Sequence, residues 1–373
     1  MWLLDRYLFR ELLTPLVFCL GGFLIFWISF DAFNNLADFQ EAKLHLPDII
    51  EYYVAMTPEF LVTILPIVLL LALLYTLTNH ARHNELTAMR AAGVSLWRLC
   101  VPYLTVGLAA SAVLFVLNEW CMPRGADWAD RIKNRYVQKP GDAGKQTEYL
   151  KFGFTNARDH RQWVFDEYRA NSAEMLNPQV DWPSSDGLNC ELKAARAIYT
   201  NGTWTFFDVR VWETAPVNAQ LVSSRQTNLL VMPEFTENPA EIQSEIKVSA
   251  YENQRRARKA DIPLVDIWAY LRLHPGLSRA KSGLVFTKLH GRLAAPWTCL
   301  VVVLIAIPFG AASGRRNLFV GVAGSIFICF AYFVIQQVGL ALGSGGHMPA
   351  WLAAWLPNLI FGMTGLVLTA RVR

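Results

Sequence analysis

The hydrophobic pattern divides the chain into long apolar runs and a polar middle. An apolar run of about 20 residues is long enough to cross the hydrocarbon core of a bilayer as a helix. Six such runs occur, three before residue 119 and three after residue 290. They cover Leu12–Phe30, Phe60–Thr78, Leu99–Asn118, Leu293–Ser313, the stretch from Leu318 to about residue 342, and Pro349–Ala370. The pattern predicts an α-helical membrane protein with six transmembrane helices, and a short interfacial helix over Met1–Glu11.

The insert between the third and fourth runs has a different period. Short segments rich in aromatic and β-branched residues alternate with turn signals, of which Asn201-Gly202 is a strong hairpin signal. Several short strands without helices between them predict an all-β, jelly-roll-like domain. The predicted strands are Glu148–Thr155, Gln162–Tyr168, Leu192–Tyr199, Thr203–Glu213 and Arg225–Met232, with turns at Asn156–His160 and Asn177–Gly187 and a bulge at Phe206-Phe207. Helical connectors are predicted over Trp120–Val137, Ile262–Leu273 and Ser278–Arg292.

A short polar island, His80–Arg98, separates the second and third runs. Its composition predicts a compact helix from residue 84 to residue 92. Gly93 is a natural stop, because glycine enters the left-handed conformation after a helix without a Cβ penalty. Ser95 is then placed to cap the next helix.

Glu85, Met89 and Gly93 follow one another at i, i+4 and i+8, which places a carboxylate, a thioether and a bare backbone patch on one helix face. Such a face suits the docking of another protein. The simpler interpretation is a solvated turn between two membrane helices, with Glu85 favoured at the helix start by the helix dipole.

Charge distribution predicts the orientation of the chain. Six spans place both termini on one side of the membrane, and basic residues concentrate in cytoplasmic segments. The termini and the short loops on that side carry nine basic residues, whereas the two short loops opposite carry only Lys43. The termini and the polar island His80–Arg98 are therefore predicted to be cytoplasmic, and residues 119–290 are predicted to lie on the opposite side of the membrane. The nine are Arg6, Arg10, Arg82, Arg90, Arg98, Arg315, Arg316, Arg371 and Arg373.

Composition agrees with a membrane domain split by a polar insert. Hydrophobic residues make up 53% of the 373 residues and charged residues only 17%, with a mean hydropathy of +0.26. Of the 64 Asp, Glu, Lys and Arg residues, 44 lie between Glu119 and Lys288. The net charge of +4 gives no indication of nucleic-acid binding. The first run lacks a small-residue cleavage site and is read as a membrane helix, not a signal peptide.

No enzyme, metal or nucleotide motif is present. The six cysteines lack the paired spacing that holds zinc, and a disulfide between Cys121 and Cys190, the two that could meet in the insert, is disfavoured. The chain has no G-x-x-x-x-G-K-[ST], H-E-x-x-H or G-x-S-x-G sequence. We therefore predict no catalytic residues, no metal site and no cofactor in this chain.

Four short motifs then carry a resemblance that extends over essentially the whole chain. The layout of three spans, an external β domain, three spans and a helix after the second span resembles the lipopolysaccharide-export permease family LptF/LptG, and is slightly more like LptG. The motifs are Leu4-Asp5-Arg6-Tyr7, Asn84-Glu85-Leu86 through Ala91-Ala92-Gly93-Val94-Ser95, Leu289 to Pro296, and Trp355-Leu356-Pro357-Asn358.

The resemblance implies an ABC-type lipopolysaccharide extractor. Its other parts would be a cytoplasmic ABC ATPase dimer that binds ATP and Mg, a second homologous permease, and a periplasmic bridge protein of β-jelly-roll type. Residues 1–118 would hold helices 1–3, 119–290 the periplasmic β domain and 291–373 helices 4–6. The spans would enclose a cavity that takes lipopolysaccharide from the outer leaflet of the inner membrane. The coupling helix would contact the ATPase through Glu85, Leu86, Met89, Arg90 and Gly93.

The candidate lipid contacts depart from the family pattern. LptG-like members carry lysines at the outer end of span 1, whereas this chain has Asp31 and amides there, with Lys43 the nearest cation. Lys288 and Arg292 near span 4 are candidates to meet lipid phosphate instead, against ordinary interfacial snorkelling. Gln336, polar at mid-depth in span 5, faces either the cavity or a neighbouring helix.

Two other functions remain open from the sequence. A mechanotransmission or scaffold membrane protein would use the β domain to act on a partner, and would lack an apolar cavity lined by spans 1, 2 and 5. A membrane-anchored periplasmic enzyme is disfavoured by the coupling-like helix.

Overall fold

The computed structural model describes residues 2–135, 148–156, 158–184, 187–215, 221–252, 263–311 and 318–371. The basic cluster of the insert (residues 255–259) and the polar turn after the fourth run (residues 314–317) lie outside the described residues. The chain forms two compact units. Residues 1–137 and 279–373 make a helical unit, and residues 138–278 make a β unit.

The helical unit contains the predicted apolar helices. Five helices are long and apolar enough to cross a membrane among the described residues, and α11 supplies a sixth apolar helix, so the predicted class is confirmed. The helices are α1 Trp2–Asn34, α2 Leu36–Glu41, α3 Leu46–Arg82, α4 Glu85–Ala91, α5 Leu96–Val116, α6 Met122–Asn134, α9 Arg279–Ala294, α10 Thr298–Ala311, α11 Leu318–Ser344 and α12 Ala350–Arg371. A π-helical turn, Leu117–Cys121, joins α5 to α6, and a 3₁₀ turn, Ala295–Trp297, joins α9 to α10.

Two helices are longer than the apolar runs suggest. α1 is continuous from Trp2, so the separate interfacial helix predicted over Met1–Glu11 is wrong. α3 begins at Leu46, so more than a third of the predicted polar connection Asp31–Glu59 is helical. The charged ends of both helices continue the backbone hydrogen bonding of the apolar segment. Hydropathy locates the membrane core and does not locate the helix ends.

Small residues set the spacing of the membrane helices. A methyl group on Gly339 would lie 2.5 Å from the Ala353 carbonyl oxygen, and one on Gly365 would lie 2.8 Å from the Leu304 carbonyl oxygen. Through Gly339, α11 therefore packs directly against the backbone of α12. Through Gly365, α12 packs directly against the backbone of α10. Close backbone approach through glycine is the usual device of helix packing in lipid, where the hydrophobic effect does not drive helices together.

The β unit is an antiparallel sheet with two helices. Its strands are β1 Glu148–Asn156, β2 Arg161–Arg169, β3 Glu174–Leu176, β4 Gln179–Pro183, β5 Asn189–Lys193, β6 Arg196–Thr200, β7 Thr203–Thr214 and β8 Leu221–Met232. The helices are α7 Pro239–Glu252 and α8 Leu264–Leu273. The predicted antiparallel β domain between membrane helices is confirmed.

A line of backbone breaks crosses the sheet. β3 and β4 pair with β2 in one continuous register, and β6 and β5 do the same with β7. Each pair is thus one strand interrupted in the middle, at Asn177-Pro178 and at Ala194-Ala195. Asn177 and, in β7, Asp208 have positive φ, and Pro178 lacks an amide donor. These breaks lie opposite one another and change which face the following side chains occupy.

The predicted strands β1, β2, β7 and β8 are found with small shifts at their ends. The strand predicted over Leu192–Tyr199 is interrupted at the line of breaks, and the turn predicted over Asn177–Gly187 contains β4. The bulge predicted at Phe206-Phe207 is wrong: β7 and β8 keep one register there, and it shifts only between Glu213 and Thr214. The Asn201-Gly202 hairpin turn is confirmed, because both residues have positive φ between β6 and β7.

Aromatic side chains fill the core of the β unit. Trp163 and Trp204 are fully buried, with ring centroids 5.8 Å apart, and Phe235 packs edge-on to Trp163 at 5.4 Å. Ile242 and Ile246 bring α7 into the same cluster. α7 therefore covers part of one face of the sheet.

Candidate functional site

The coupling-like helix α4 is bounded by the residues that the sequence indicated. Gly93 has φ of +85° and directly follows the last turn of α4. Ser95 accepts a hydrogen bond from the Arg98 amide at 3.3 Å and begins α5. The helix is only Glu85–Ala91, and Asn84 precedes it in the left-handed conformation. A turn at each end therefore separates α4 from α3 and α5 along the chain.

The inward and outward faces of α4 differ from the predicted arrangement. Leu86 is buried in the main core of the helical unit, and Met89 packs against that core. The face of Glu85, Met89 and Gly93 is consequently not a uniformly exposed docking face. The outward residues of α4 are Thr87, Ala88, Arg90 and Ala91.

Glu85 is held by two other membrane helices. Its Oε2 atom accepts a hydrogen bond from the Tyr7 hydroxyl of α1 at 3.0 Å, and lies 2.6 Å from Nδ1 of His80 in α3. His80 is fully buried. Partial burial alone would raise the pKa of Glu85, but the hydrogen bonds from His80 and Tyr7 outweigh it and lower the pKa below its ordinary value. The carboxylate therefore anchors α4 to α1 and α3.

A second contact ties the same region together. Arg98, in the first turn of α5, donates to Asp5 of α1 at 2.5 Å. Leu8 and Leu12 of α1 are buried in the core that also contains Leu86. The N-terminal part of α1 thus contacts both the helix α4 and the start of α5. We call Asp5, Tyr7, His80, Glu85 and Arg98 the α4 anchor.

The lowered pKa of Glu85 predicts a pH dependence of stability. A carboxyl whose pKa is depressed by folding stabilises the protein at pH values above its unfolded-state pKa, and this contribution is lost as pH falls through the folded-state pKa. The thermal midpoint of Glu85→Gln should lie below that of the wild type at neutral pH, and the difference should shrink in acid. The measurement is thermal unfolding of the full chain in detergent between about pH 7 and pH 3.

Glu41→Gln is the matched control, because Glu41 is an exposed carboxylate at the end of α2. It should not change the midpoint at either pH. A gap between wild type and Glu85→Gln that widens in acid would contradict the anchor.

Arg292, a predicted phosphate contact, is already paired. Its Nη1 atom lies 3.1 Å from Oε2 of Glu119, and the two side chains are only 5% and 10% exposed. The same Nη1 atom donates to the Asn118 carbonyl at 3.4 Å. Asn118 and Glu119 belong to the π-helical turn, a type of distortion that is frequent at functional sites. Arg292 therefore joins α9 to the end of α5, and a lipid phosphate would have to compete with Glu119 for its guanidinium group.

The other four predicted lipid contacts lie on separate elements. Asp31 is in α1 and accepts a hydrogen bond from the Tyr53 hydroxyl at 3.1 Å. Lys43 is exposed in the turn after α2, with φ of +53°. Lys288 is exposed on α9, and Gln336 is half-buried in α11. The structure gives these four positions and does not assign them a ligand.

A buried chain of polar groups links four helices, α9, α10, α11 and α12. The Tyr332 hydroxyl lies 2.7 Å from Thr298 Oγ1 and donates to Asn358 Oδ1 at 2.8 Å. Asn358 in turn donates to the Ala294 carbonyl at 2.9 Å, where α9 gives way to the 3₁₀ turn around Pro296. In the 3₁₀ turn the Thr298 amide bonds to the Ala295 carbonyl, so the Ala294 carbonyl loses its α-helical donor, and an unsatisfied carbonyl is costly inside a membrane. Asn358 supplies the missing donor.

Sequence reasoning missed the partners in these contacts. Asp5 and Tyr7 belong to the Leu4-Asp5-Arg6-Tyr7 motif, which gives no sign of their pairing with Arg98 and Glu85. The pairing of Glu119 with Arg292 joins residues 173 positions apart. One signal was available for His80, which stands at the end of an apolar run five residues before Glu85.

The sequence comparisons agree with this architecture. No curated protein matches the chain. The family model described as the lipopolysaccharide export system permease LptF/LptG matches residues 6–371, which includes both halves of the helical unit and the whole β unit. Members are permease subunits of a transporter and not enzymes on their own, and the match does not separate LptF from LptG. With its apolar helices and inserted antiparallel sheet, this chain is a multi-pass membrane protein that belongs to the LptF/LptG family of lipopolysaccharide export permeases.

Proposed function

We propose that the chain is one permease subunit of an ABC-type extractor that takes lipopolysaccharide from the outer leaflet of the inner membrane and passes it to a periplasmic bridge. ATP and Mg would be bound by a cytoplasmic ATPase dimer, because the chain has no P-loop. The basic residues at the termini and around α4 support cytoplasmic placement of this side. Family membership supports the cargo.

The observation that carries the proposal is the position of α4. It is a short helix set off by turns, tied to α1 and α3 through Glu85, and it presents small side chains outward at Ala88 and Ala91. Small outward residues allow a partner's surface to approach the helix backbone closely. Any displacement of α4 by an ATPase would be transmitted to α1 and α3 through the contacts of Glu85 with Tyr7 and His80.

Ala91→Arg should therefore abolish association with the ATPase dimer while leaving the fold unchanged. The arginine side chain points away from the core and would occupy the space of the docked partner. The measurement is co-purification of the ATPase dimer with the full chain, together with the thermal midpoint of the isolated chain.

Ala37→Arg is the matched control, because Ala37 is an exposed alanine on α2. It should retain the ATPase. Retention of the ATPase by Ala91→Arg with normal lipid export would exclude α4 as the docking element.

Exposed apolar faces support a second permease and a lipid-facing cavity. Only 6% of the most apolar window of α1 is buried within this chain. Phe18, Ile25 and Phe33 of α1 and Phe327 and Phe330 of α11 are strongly exposed. These faces would contact lipid, lipopolysaccharide acyl chains or the second permease.

The last strand of the sheet supports transfer to a bridge of similar β domains. β8 pairs with β7 along one edge, and no described strand pairs with its other edge. An exposed strand edge can add a strand from another protein through main-chain hydrogen bonds. A periplasmic β-jelly-roll protein is the partner that this edge would accept.

A mechanotransmission or scaffold protein is the alternative. It would also use α4 and the β unit, but it would not bind lipopolysaccharide. Recovery of lipopolysaccharide with the purified complex separates the two functions, and its absence from an otherwise intact complex would favour the alternative.

A further inference from the structure

One face of α8 is fixed within the β unit. Ile267 and Tyr270 are buried, and the Tyr270 hydroxyl donates to Glu245 of α7 at 3.1 Å. Lys247 of α7 forms an ion pair with Asp266 at 3.1 Å. These contacts determine the rotation of α8 about its own axis, so the side chains on its opposite face are displayed outward.

The outward face of α8 is apolar and aromatic with a basic end. Val265 is 73% exposed, Trp268 is 66% exposed, and Arg272 is exposed one turn further on. The spacing i, i+3, i+7 places the three on one stripe. Tryptophan at such a position has an apolar ring and a polar N–H, the combination that is enriched where a membrane meets water. A long basic side chain next to it can reach lipid phosphates.

The chain itself limits how far α8 can lie from the helix that carries the fourth apolar run. This candidate membrane-spanning helix begins at Lys281, eight residues after the last residue of α8, Leu273, and its apolar run begins at Leu293. A fully extended chain of eight residues covers at most about 28 Å. Arg279 is exposed within this segment and adds positive charge beside Arg272. A helix this close to the span, with an apolar stripe bordered by cations, is complementary to a surface of anionic phospholipids.

We propose that α8 rests on the bilayer surface, on the side of the β unit, with Trp268 and Val265 inserted between the headgroups and Arg272 bonded to lipid phosphate. The occupant of this face is the phospholipid surface, not another protein. The proposal depends only on α9 and α10 crossing the membrane, and it is independent of ATPase docking. Such a contact would hold α8 at the membrane surface.

Quenching of tryptophan emission by brominated lipid tests this contact. The full chain is reconstituted in nanodiscs that contain anionic phospholipids with or without bromine on the acyl chains near the headgroup. The emission of wild type minus that of Trp268→Phe isolates the Trp268 signal. We expect bromine to reduce this difference by at least about two-fold, as for a ring seated roughly 5–10 Å into the interface.

Trp212→Phe gives the matched control from the same unit. Trp212 lies on β7 with the Lys193 ammonium 5.4 Å from its ring centroid, so its difference signal should be unaffected by bromine. An unquenched Trp268 signal would overturn the proposal. It would also be overturned if the Trp268 signal became shielded only when a second permease or bridge protein was added, because the occupant would then be a protein.

Discussion

Arg292→Met should destabilise the helical unit by about 3–5 kcal/mol, because it leaves the Glu119 carboxylate buried without its cation. The pair is almost completely enclosed, with Nη1 and Oε2 3.1 Å apart, so water cannot replace the missing partner. Glu119→Leu should lower the free energy of unfolding by a similar amount, because it removes the carboxylate that pairs with the buried Arg292. The measurement is the free energy of unfolding of the full chain in mixed micelles, with a denaturing detergent as the unfolding agent.

The double variant Arg292→Met/Glu119→Leu separates ion pairing from packing. Replacing both charges with apolar groups of similar volume is often nearly neutral, so the double variant should recover most of the lost stability. Additive losses would show that each residue acts through other contacts. Lys288→Met is the control on the same helix, and its exposed side chain predicts a loss within about 0.5 kcal/mol.

Trp163→Ala should destabilise the β unit by about 3–5 kcal/mol, the usual cost of truncating a fully buried large aromatic residue. Trp163 contacts rings from several elements, including Phe154, Trp204 and Phe235, and the cavity left by its removal would be lined by rigid rings. Trp212→Ala is the control, because Trp212 is only partly buried in the outer half of β7, and its loss should be about 1 kcal/mol.

Because the chain forms two compact units, the loss of stability in Trp163→Ala should be confined to the β unit. In Trp163→Ala, limited proteolysis should degrade residues of the β unit while the membrane helices stay intact. Association with the ATPase should persist and lipid export should be lost. Simultaneous loss of ATPase association would show that the folding of the two units is coupled.

The sequence alone determined the class of each part of this protein. Long uncharged runs need a membrane because burial of that much apolar surface exceeds what a soluble domain accommodates, and alternating short segments need a sheet. Local chemistry was equally reliable where a single residue controls the backbone. Gly93, Ser95 and Asn201-Gly202 take the conformations that their side chains favour, independent of any distant contact.

The structure alone decided what the polar residues contact. Glu85 has the sequence context of a docking carboxylate, yet its oxygen is bonded to Tyr7, 78 positions away, and to His80. Arg292 has the sequence position of a lipid-binding cation, yet it is buried against Glu119. The strand breaks at Asn177, Ala194 and Asp208 likewise form one line only because their strands are neighbours in the sheet. Hydropathy and periodicity report the environment of a residue along its own helix or strand. The partner of a buried charge depends on which elements pack together, and that is set by the tertiary fold.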